Sequence, residues 1–167
     1  MDGSAEQPPE PESERTFTDA KGRHVAIERY ADGAEPLVEM YSHFDSRSRS
    51  QGLPPQTEEQ IRDWLIHVLE NGIHVVARHE DTLVGHAMLL PYEDTSELAI
   101  FVRPTYQTAG IGTELIDELL AYGRDEGVDH VWLTVSRDNR IAIRLYKSAG
   151  FETRLDDRGE VEMERDL

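Results

Sequence analysis

The stretch Val102-Arg103-Pro104-Thr105-Tyr106-Gln107-Thr108-Ala109-Gly110-Ile111-Gly112-Thr113 restricts the possible folds of this chain most. An apolar run, Ser96 to Val102, is stopped by Pro104, which has no N–H to give to a sheet. Apolar residues then recur at helical spacing from Gly110 to about Glu126, at Ile111, Leu115, Ile116, Leu119 and Leu120, and Gly127 marks the stop. A strand, a glycine-bracketed turn and a helix in this order leave the first helix amides without acceptors, at the positive end of the helix dipole. Gly110 and Gly112 remove side chains where another group must approach the backbone. The junction is a ready anion site suited to a pyrophosphate, and Thr113 can add a hydroxyl. It is not a P-loop, because Thr113-Glu114 stands where Lys-Ser/Thr is needed. It is not a dinucleotide fingerprint either, since Leu115 replaces the third glycine. The competing reading is a helix start that binds nothing.

The rest of the chain supplies elements around that junction. Thr16–Thr18 and His24–Tyr30 flank the turn Asp19-Ala20-Lys21-Gly22. Pro36 opens a helix with Leu37, Met40, Tyr41 and Phe44 on one face. Thr57-Glu58-Glu59-Gln60 is a capping box before Ile61, Trp64, Leu65, Val68 and Leu69, and Gly72 ends that helix. Ile73–Arg78 and Thr82–Leu90 read as a hairpin across Glu80-Asp81. After the long helix come a strand over His130–Val135 and a short helix capped by Asp138 or Asn139. Two strands, Phe151–Leu155 and Val161–Arg165, close the chain. The expected class is α/β: one central, mixed, mostly antiparallel sheet flanked by about four helices. Residues 1–14, rich in Pro, Glu, Ser and Gln, are expected to be a disordered acidic tail, with residues 15–167 as one domain.

Composition narrows the function classes. The chain has 167 residues, about one domain's worth. It contains 0 cysteines, which removes disulfides, thiolate metal sites and thiol nucleophiles. With 17 basic and 34 acidic residues the formal charge is −17, which repels phosphate backbones and argues against nucleic acid as a partner. No His-Glu-x-x-His or similar ligand cluster suggests a metal. No apolar run approaches the roughly 20 residues of a membrane span, and the N-terminus lacks the pattern of a signal peptide. A soluble, cytoplasmic protein is expected, as a monomer or homodimer. Lys21 and Lys147 are the only lysines. Acidic excess with few lysines resembles proteins from organisms with molar salt in the cytoplasm, where a Debye length of about 3 Å screens the self-repulsion.

Two blocks in order resemble the GNAT acetyltransferase family. The first is its Val-x-Pro strand end and Gln/Arg-x-x-Gly-x-Gly/Ala loop, matched by Val102, Pro104, Gln107, Gly110 and Gly112. The second is Asn-x-x-Ala-x-x-Leu-Tyr-x-x-x-Gly-Phe, matched by Asn139, Ala142, Leu145, Tyr146, Gly150 and Phe151. The resemblance implies a splayed sheet whose strands at 96–102 and 130–135 part to admit acetyl-CoA. It implies that main-chain groups of Ile100, Phe101 and Val102 hold the pantetheine arm. The segment Thr108, Ala109, Gly110, Ile111, Gly112 and Thr113, with Gln107, would take the pyrophosphate. Asn139 matches the position that contacts the cofactor arm, and Tyr146 the position beside the thioester sulfur.

The implied activity is acetyl transfer from acetyl-CoA to a primary amine, without a metal. An amine of pKa near 10.4 needs a base at neutral pH, and a phenol beside the sulfur can serve the leaving thiolate. Glu97, leading an otherwise apolar run, is the expected base, with Asp94 and Glu93 as fallbacks. The plain alternatives are a strand-end glutamate on a solvated face and, for Tyr146, an aromatic packed on the sheet. Ser96-Glu97-Leu98-Ala99, together with Tyr41, Phe44, Ser48 and Arg49, resembles Pat-type protein lysine acetyltransferases, although Leu53-Pro54-Pro55 departs from them. A protein lysine is therefore the first acceptor considered. A small amine or a protein N-terminus follows, and a non-catalytic acyl-CoA-binding module is the rival class.

The charge pattern makes a prediction of its own. The melting temperature should rise steadily between about 0.1 M and about 2 M KCl as like charges are screened. An unchanged melting temperature across that range would remove the halophilic reading.

Overall fold

The computed structural model describes residues 15–44 and 53–167; the expected tail and the segment with Ser48 and Arg49 lie outside them. Eight strands form one sheet: β1 (Arg15–Thr18), β2 (His24–Arg29), β3 (Ile73–His79), β4 (Thr82–Tyr92), β5 (Thr95–Val102), β6 (His130–Ser136), β7 (Glu152–Asp157) and β8 (Glu160–Asp166). Their order is β1-β2-β3-β4-β5-β6-β8-β7, and among the described residues only the β5–β6 pair is parallel. The helices are α1 (Glu35–Tyr41), α2 (Glu58–Glu70), α3 (Ile111–Asp125) and α4 (Arg140–Ser148). This is the expected α/β architecture. Thr57 caps α2 by accepting from the Gln60 amide, as the capping pattern requires.

Strand alternation divides the apolar residues between two layers. Val75, Ala77, Leu98, Val131 and Leu133 face α3 and α4, packing on Ile111, Leu115 and Leu119. Val76, Met88, Ala99 and Phe101 face α1 and α2, packing on Leu37, Met40, Ile61 and Leu65. Among the described residues no helix is long and apolar enough to cross a membrane.

The pairing that matters most is the shortest. β5 and β6 are joined at Ser96↔Val131 and Glu97↔Trp132 alone. β5 runs on to Val102 and β6 to Ser136, each held on its outer edge by β4 and β8. Past Glu97 the two strands part, as the family resemblance implied. A wedge opens in the middle of the sheet, and β5 presents it with an edge that no strand covers.

The α1–α2 layer contains two fully enclosed histidines. His74 and His86 are 2% and 0% exposed, with rings stacked at 5.1 Å. Val68 O can only accept, so His74 Nε2 donates to it at 2.8 Å. His74 Nδ1 then accepts from His86 Nε2 at 2.9 Å, and His86 Nδ1 accepts from the Tyr41 hydroxyl at 2.7 Å. With both rings neutral, each of these three hydrogen bonds has one donor and one acceptor. Burial lowers the pKa of both histidines, and the neighbouring His74 lowers that of His86 further. The unfolded chain therefore takes up protons first, and stability falls as pH drops below the unfolded value of about 6.5. Carboxylates held low, such as Asp19 and Glu35, lose their contribution only in more acidic solution. The melting temperature should drop between about pH 7 and about pH 5, and the slope should flatten in His86→Gln. A pH-independent melting temperature in that window would contradict two buried, neutral rings.

Candidate active site

The turn after β5 is built to stay open. Pro104–Tyr106 forms a single 3-10 turn, and the Gln107 side-chain amide donates back to Val102 O at 3.0 Å, closing the loop on its strand. Thr108 (φ 58°) and Gly110 (φ 93°) both adopt left-handed backbone, rare for the first and natural for the second. Gly110 is the N-cap of α3 and offers no side chain to it. Its carbonyl accepts from the Glu114 amide at 3.4 Å, so the amides of Ile111, Gly112 and Thr113 precede the first turn's acceptors.

A bracket from the β1–β2 turn supports this loop from behind. The Ala20 amide donates to Ala109 O at 3.0 Å. Arg23 donates to Thr105 O at 3.1 Å and lies 3.9 Å over the Tyr106 ring. Asp19 fixes Arg23 by a 2.7 Å ion pair and accepts from the amides of Lys21 and Arg23. The role of Asp19 and Arg23 was not legible in sequence, where they mark only a hairpin turn.

A groove of about 510 Å³ lies between the loop, the free edge of β5 and α4. Ile100, Val102, Gln107, Thr108, Gly110, Gly112 and Thr113 line it from one side, and Asn139 and Tyr146 from the other. Three expected residues turn their side chains away. Phe101 packs on Tyr41 and Trp64 in the opposite layer, while Ala109 and Ile111 are buried. Only main-chain atoms of these three can serve the groove. A Cβ on Gly112 would lie 3.0 Å from a Leu145 methyl, so the missing side chain lets α4 close on the start of α3. Asn139 caps α4 by accepting from the Ala142 amide at 3.1 Å, which settles the choice between Asp138 and Asn139. The Tyr146 hydroxyl has no hydrogen-bond partner among the described residues, and burial pushes its pKa up to about 12. Arg144 and Ser148 also line the groove. They sit inside the second sequence block, but nothing in its pattern singles them out.

Glu97 is on the other face. Alternation along β5 turns it with Ala99 and Phe101 toward α1 and α2. There it lines a second cavity of about 290 Å³ with His67, Val68, Asn71, Leu90, Pro91 and Tyr92. Its carboxylate has no hydrogen-bond or ion-pair partner among the described residues, and burial raises its pKa. The strand junction is pinned beside it. Trp132 is paired with Glu97, its indole donates to Thr95 Oγ1 at 3.0 Å, and Thr95 donates to Tyr92 O at 2.8 Å. Tyr92 meets the same indole edge-on at 5.7 Å. The fallback residues Glu93 and Asp94 are exposed in the β4–β5 turn and line neither cavity. Glu97 and Tyr146 thus stand on opposite sides of the sheet, with the wedge between them.

This arrangement fits a long anionic thioester carrier: an uncapped helix start for its diphosphate, a cradle that a Cβ would crowd, and an open strand edge for its amide-bearing arm. Among the described residues no group of three or more metal-ligating side chains is clustered. Residues 37–151 match the acetyltransferase (GNAT) family. The chain belongs to this family. An uncharacterised N-acetyltransferase of Mycobacterium tuberculosis is 36% identical over 80 residues, 47% of this chain and 51% of that protein. The N-alpha-acetyltransferase RimI of the same organism is 42% identical over 84 residues, with the same shares of 47% and 51%. The chain thus spans about half the length of the curated relatives it matches. Among solved structures, the GNAT domain of S. lividans PAT superposes with a TM-score of 0.77 at 19% identity, covering 92% of this chain and 97% of the other. The PaiA N-acetyltransferase of Thermoplasma acidophilum, solved with coenzyme A, gives 0.63 at 21% identity, with coverages of 84% and 99%. At these identities the shared property is the fold.

In this GNAT chain the Gly112 cradle is directly testable. Gly112→Val should push on Leu145 and fill the groove, weakening CoA binding at least about tenfold in calorimetry while the domain stays folded. Unchanged affinity would mean that the helix start is not the diphosphate cradle.

Proposed function

We propose that this chain is an acetyl-CoA-dependent N-acetyltransferase that passes the acetyl group directly to an amine in a ternary complex. The observation that carries this is the pair of cavities on opposite faces of one sheet, one lined by Ile100 and Val102 beyond the point where β5 and β6 part and the other by Glu97 at that point. A thioester entering from the groove side would reach its acceptor on the Glu97 side through the wedge, without a covalent enzyme intermediate.

The amine arrives protonated, and Glu97 takes its proton. A carboxyl whose pKa is raised by burial is a stronger base than an ordinary glutamate, and no partner competes for it. The freed nitrogen attacks the thioester carbon and the C–N bond forms. Main-chain N–H groups on the open edge of β5 would stabilise the oxyanion. The C–S bond then breaks with its electrons on sulfur, and the second proton, which the attack leaves on the nitrogen, passes to the departing thiolate to give the neutral amide and the CoA thiol. Tyr146, at about 12, holds its proton more tightly than an ordinary thiol of about 8.5. Its service to the thiolate is therefore a donated hydrogen bond, with the proton staying on the phenol.

The acceptor is proposed to be an amine carried by a protein. The Pat-like block around Glu97 supports a lysine side chain. A second reading, the α-amino group of a protein N-terminus, is supported by the RimI relative named above.

The test measures CoA thiol release from acetyl-CoA with two peptides. One bears an internal lysine and a blocked N-terminus; the other has a free N-terminal alanine and no lysine. Turnover of the first alone supports the lysine reading, and of the second alone the N-terminal one. Glu97→Gln should lower kcat about a hundredfold or more, and Tyr146→Phe about tenfold. In the wild type the acidic limb of the pH profile should lie above the usual carboxylate range. Full activity in both variants would defeat the site assignment. Acetyl-CoA binding without turnover of any amine would favour the non-catalytic module.

A further inference from the structure

The groove differs in charge from the chain around it. The protein carries 34 acidic residues, yet among the described residues no aspartate or glutamate lines the groove, and the one charged lining residue is Arg144. Arg144 belongs to a local concentration of cations. Arg137, Arg140, Arg144 and Lys147 lie within residues 137–147, a window whose only acid is Asp138. Arg137 is paired with Asp156. Arg140, Arg144 and Lys147 stand at i, i+4 and i+7 on one exposed face of α4, and their charged ends have no hydrogen-bond or ion-pair partner among the described residues. Elsewhere Arg15, Arg23, Arg29, Arg62 and Arg78 each lie against a carboxylate, while Arg103, Arg124 and Arg158, which have no ion-pair partner among the described residues, belong to three separate segments. Three neighbouring cations without counter-charges, in a chain of net −17, call for an anion from outside.

The position of the stripe indicates which anion. Leu145, the next residue after Arg144, is the side chain that closes on Gly112 at the start of α3. Arg144 and Ser148 therefore form the rim of the groove opposite the amides proposed for the pyrophosphate, with Arg140 and Lys147 just outside. Those amides already account for the diphosphate bridge. The charge left over on the nucleotide end of CoA is its 3′-phosphate, a monoester close to dianionic at neutral pH. A guanidinium fork matches such a group in geometry and charge.

We propose that Arg144, supported by Arg140 and Lys147, is a recognition site for the 3′-phosphate of CoA, and so determines which thioester carrier this chain accepts. The inference rests on the acetyl-CoA reading above. A carrier lacking that phosphate, such as 3′-dephospho-CoA or a bare phosphopantetheine thioester, would occupy the same groove less tightly.

The test is calorimetric titration of the full chain with CoA and with 3′-dephospho-CoA in one buffer. The wild type should prefer CoA by about tenfold or more. Arg144→Gln should weaken CoA alone and bring the two ligands within about twofold, leaving dephospho-CoA unchanged. Arg144→Lys should restore part of the preference. Arg124→Gln, at the far end of α3, removes the same charge outside the groove and should retain the full preference. Equal wild-type affinities overturn the proposal. So does an Arg144→Gln variant that weakens both ligands alike, which would assign the arginine to the diphosphate. Loss of preference in Arg124→Gln overturns it in favour of a net-charge effect. Binding of neither compound overturns it together with the thioester reading, whereas equal binding of both leaves that reading intact.

Discussion

The central constraint is a sheet that stays joined at one point and open beyond it. A backbone edge in the middle of a sheet normally pairs, because an unpartnered N–H or C=O away from water is costly. Here β5 and β6 hold each other only around Glu97 and Trp132, and the outer edges keep both strands in the sheet while they diverge. The open edge of β5 is thus a standing offer of hydrogen bonds to an extended ligand. The Trp132–Thr95–Tyr92 bonds hold the joined end closed, so the opening begins beside Glu97.

The anion loop depends on this opening and on support from a distant turn. Left-handed backbone at Thr108 costs energy that the surrounding contacts must offset. They come from Gln107 to Val102 O, from Ala20 to Ala109 O, and from Arg23 against Thr105 and Tyr106. The loop is braced on both sides before any ligand arrives. Preorganisation of this kind removes part of the ordering cost of binding. It also refines the part played by Gln107: its amide is engaged with the strand, so it shapes the loop and leaves the helix amides to face the groove.

Charge follows a similar division between surface and site. Acidic side chains dominate the surface, and many arginines are tied to them. The groove, by contrast, has no carboxylate among the described residues that line it, and Glu97 sits apart on the other face without a counter-ion among the described residues. An unpaired base and an acid-free anion groove have opposite electrostatic needs. The sheet between them lets each keep its own surroundings.

Much of this was legible in one dimension. Periodicity and glycine stops located every strand and helix to within a few residues, because those signals act through neighbours on the same element. The glycine-bracketed helix start and the Asn139 to Phe151 block pointed to the groove for the same reason. What the order of residues could not decide was which faces meet. Glu97 and Tyr146 were expected in one site, and strand alternation puts them on opposite sides of the sheet. Phe101 was expected to serve the cofactor through its main chain, and that its ring belongs to the α1–α2 core was not visible in the sequence. His67 and Asn71 on α2, the bracket of Asp19 and Arg23, and the unpaired stripe ending at Arg144 acquire meaning only through contacts between elements far apart in the chain. Local chemistry chose the elements; the divergence of two strands, a property of the whole sheet, decided where a ligand can enter and which residues it meets.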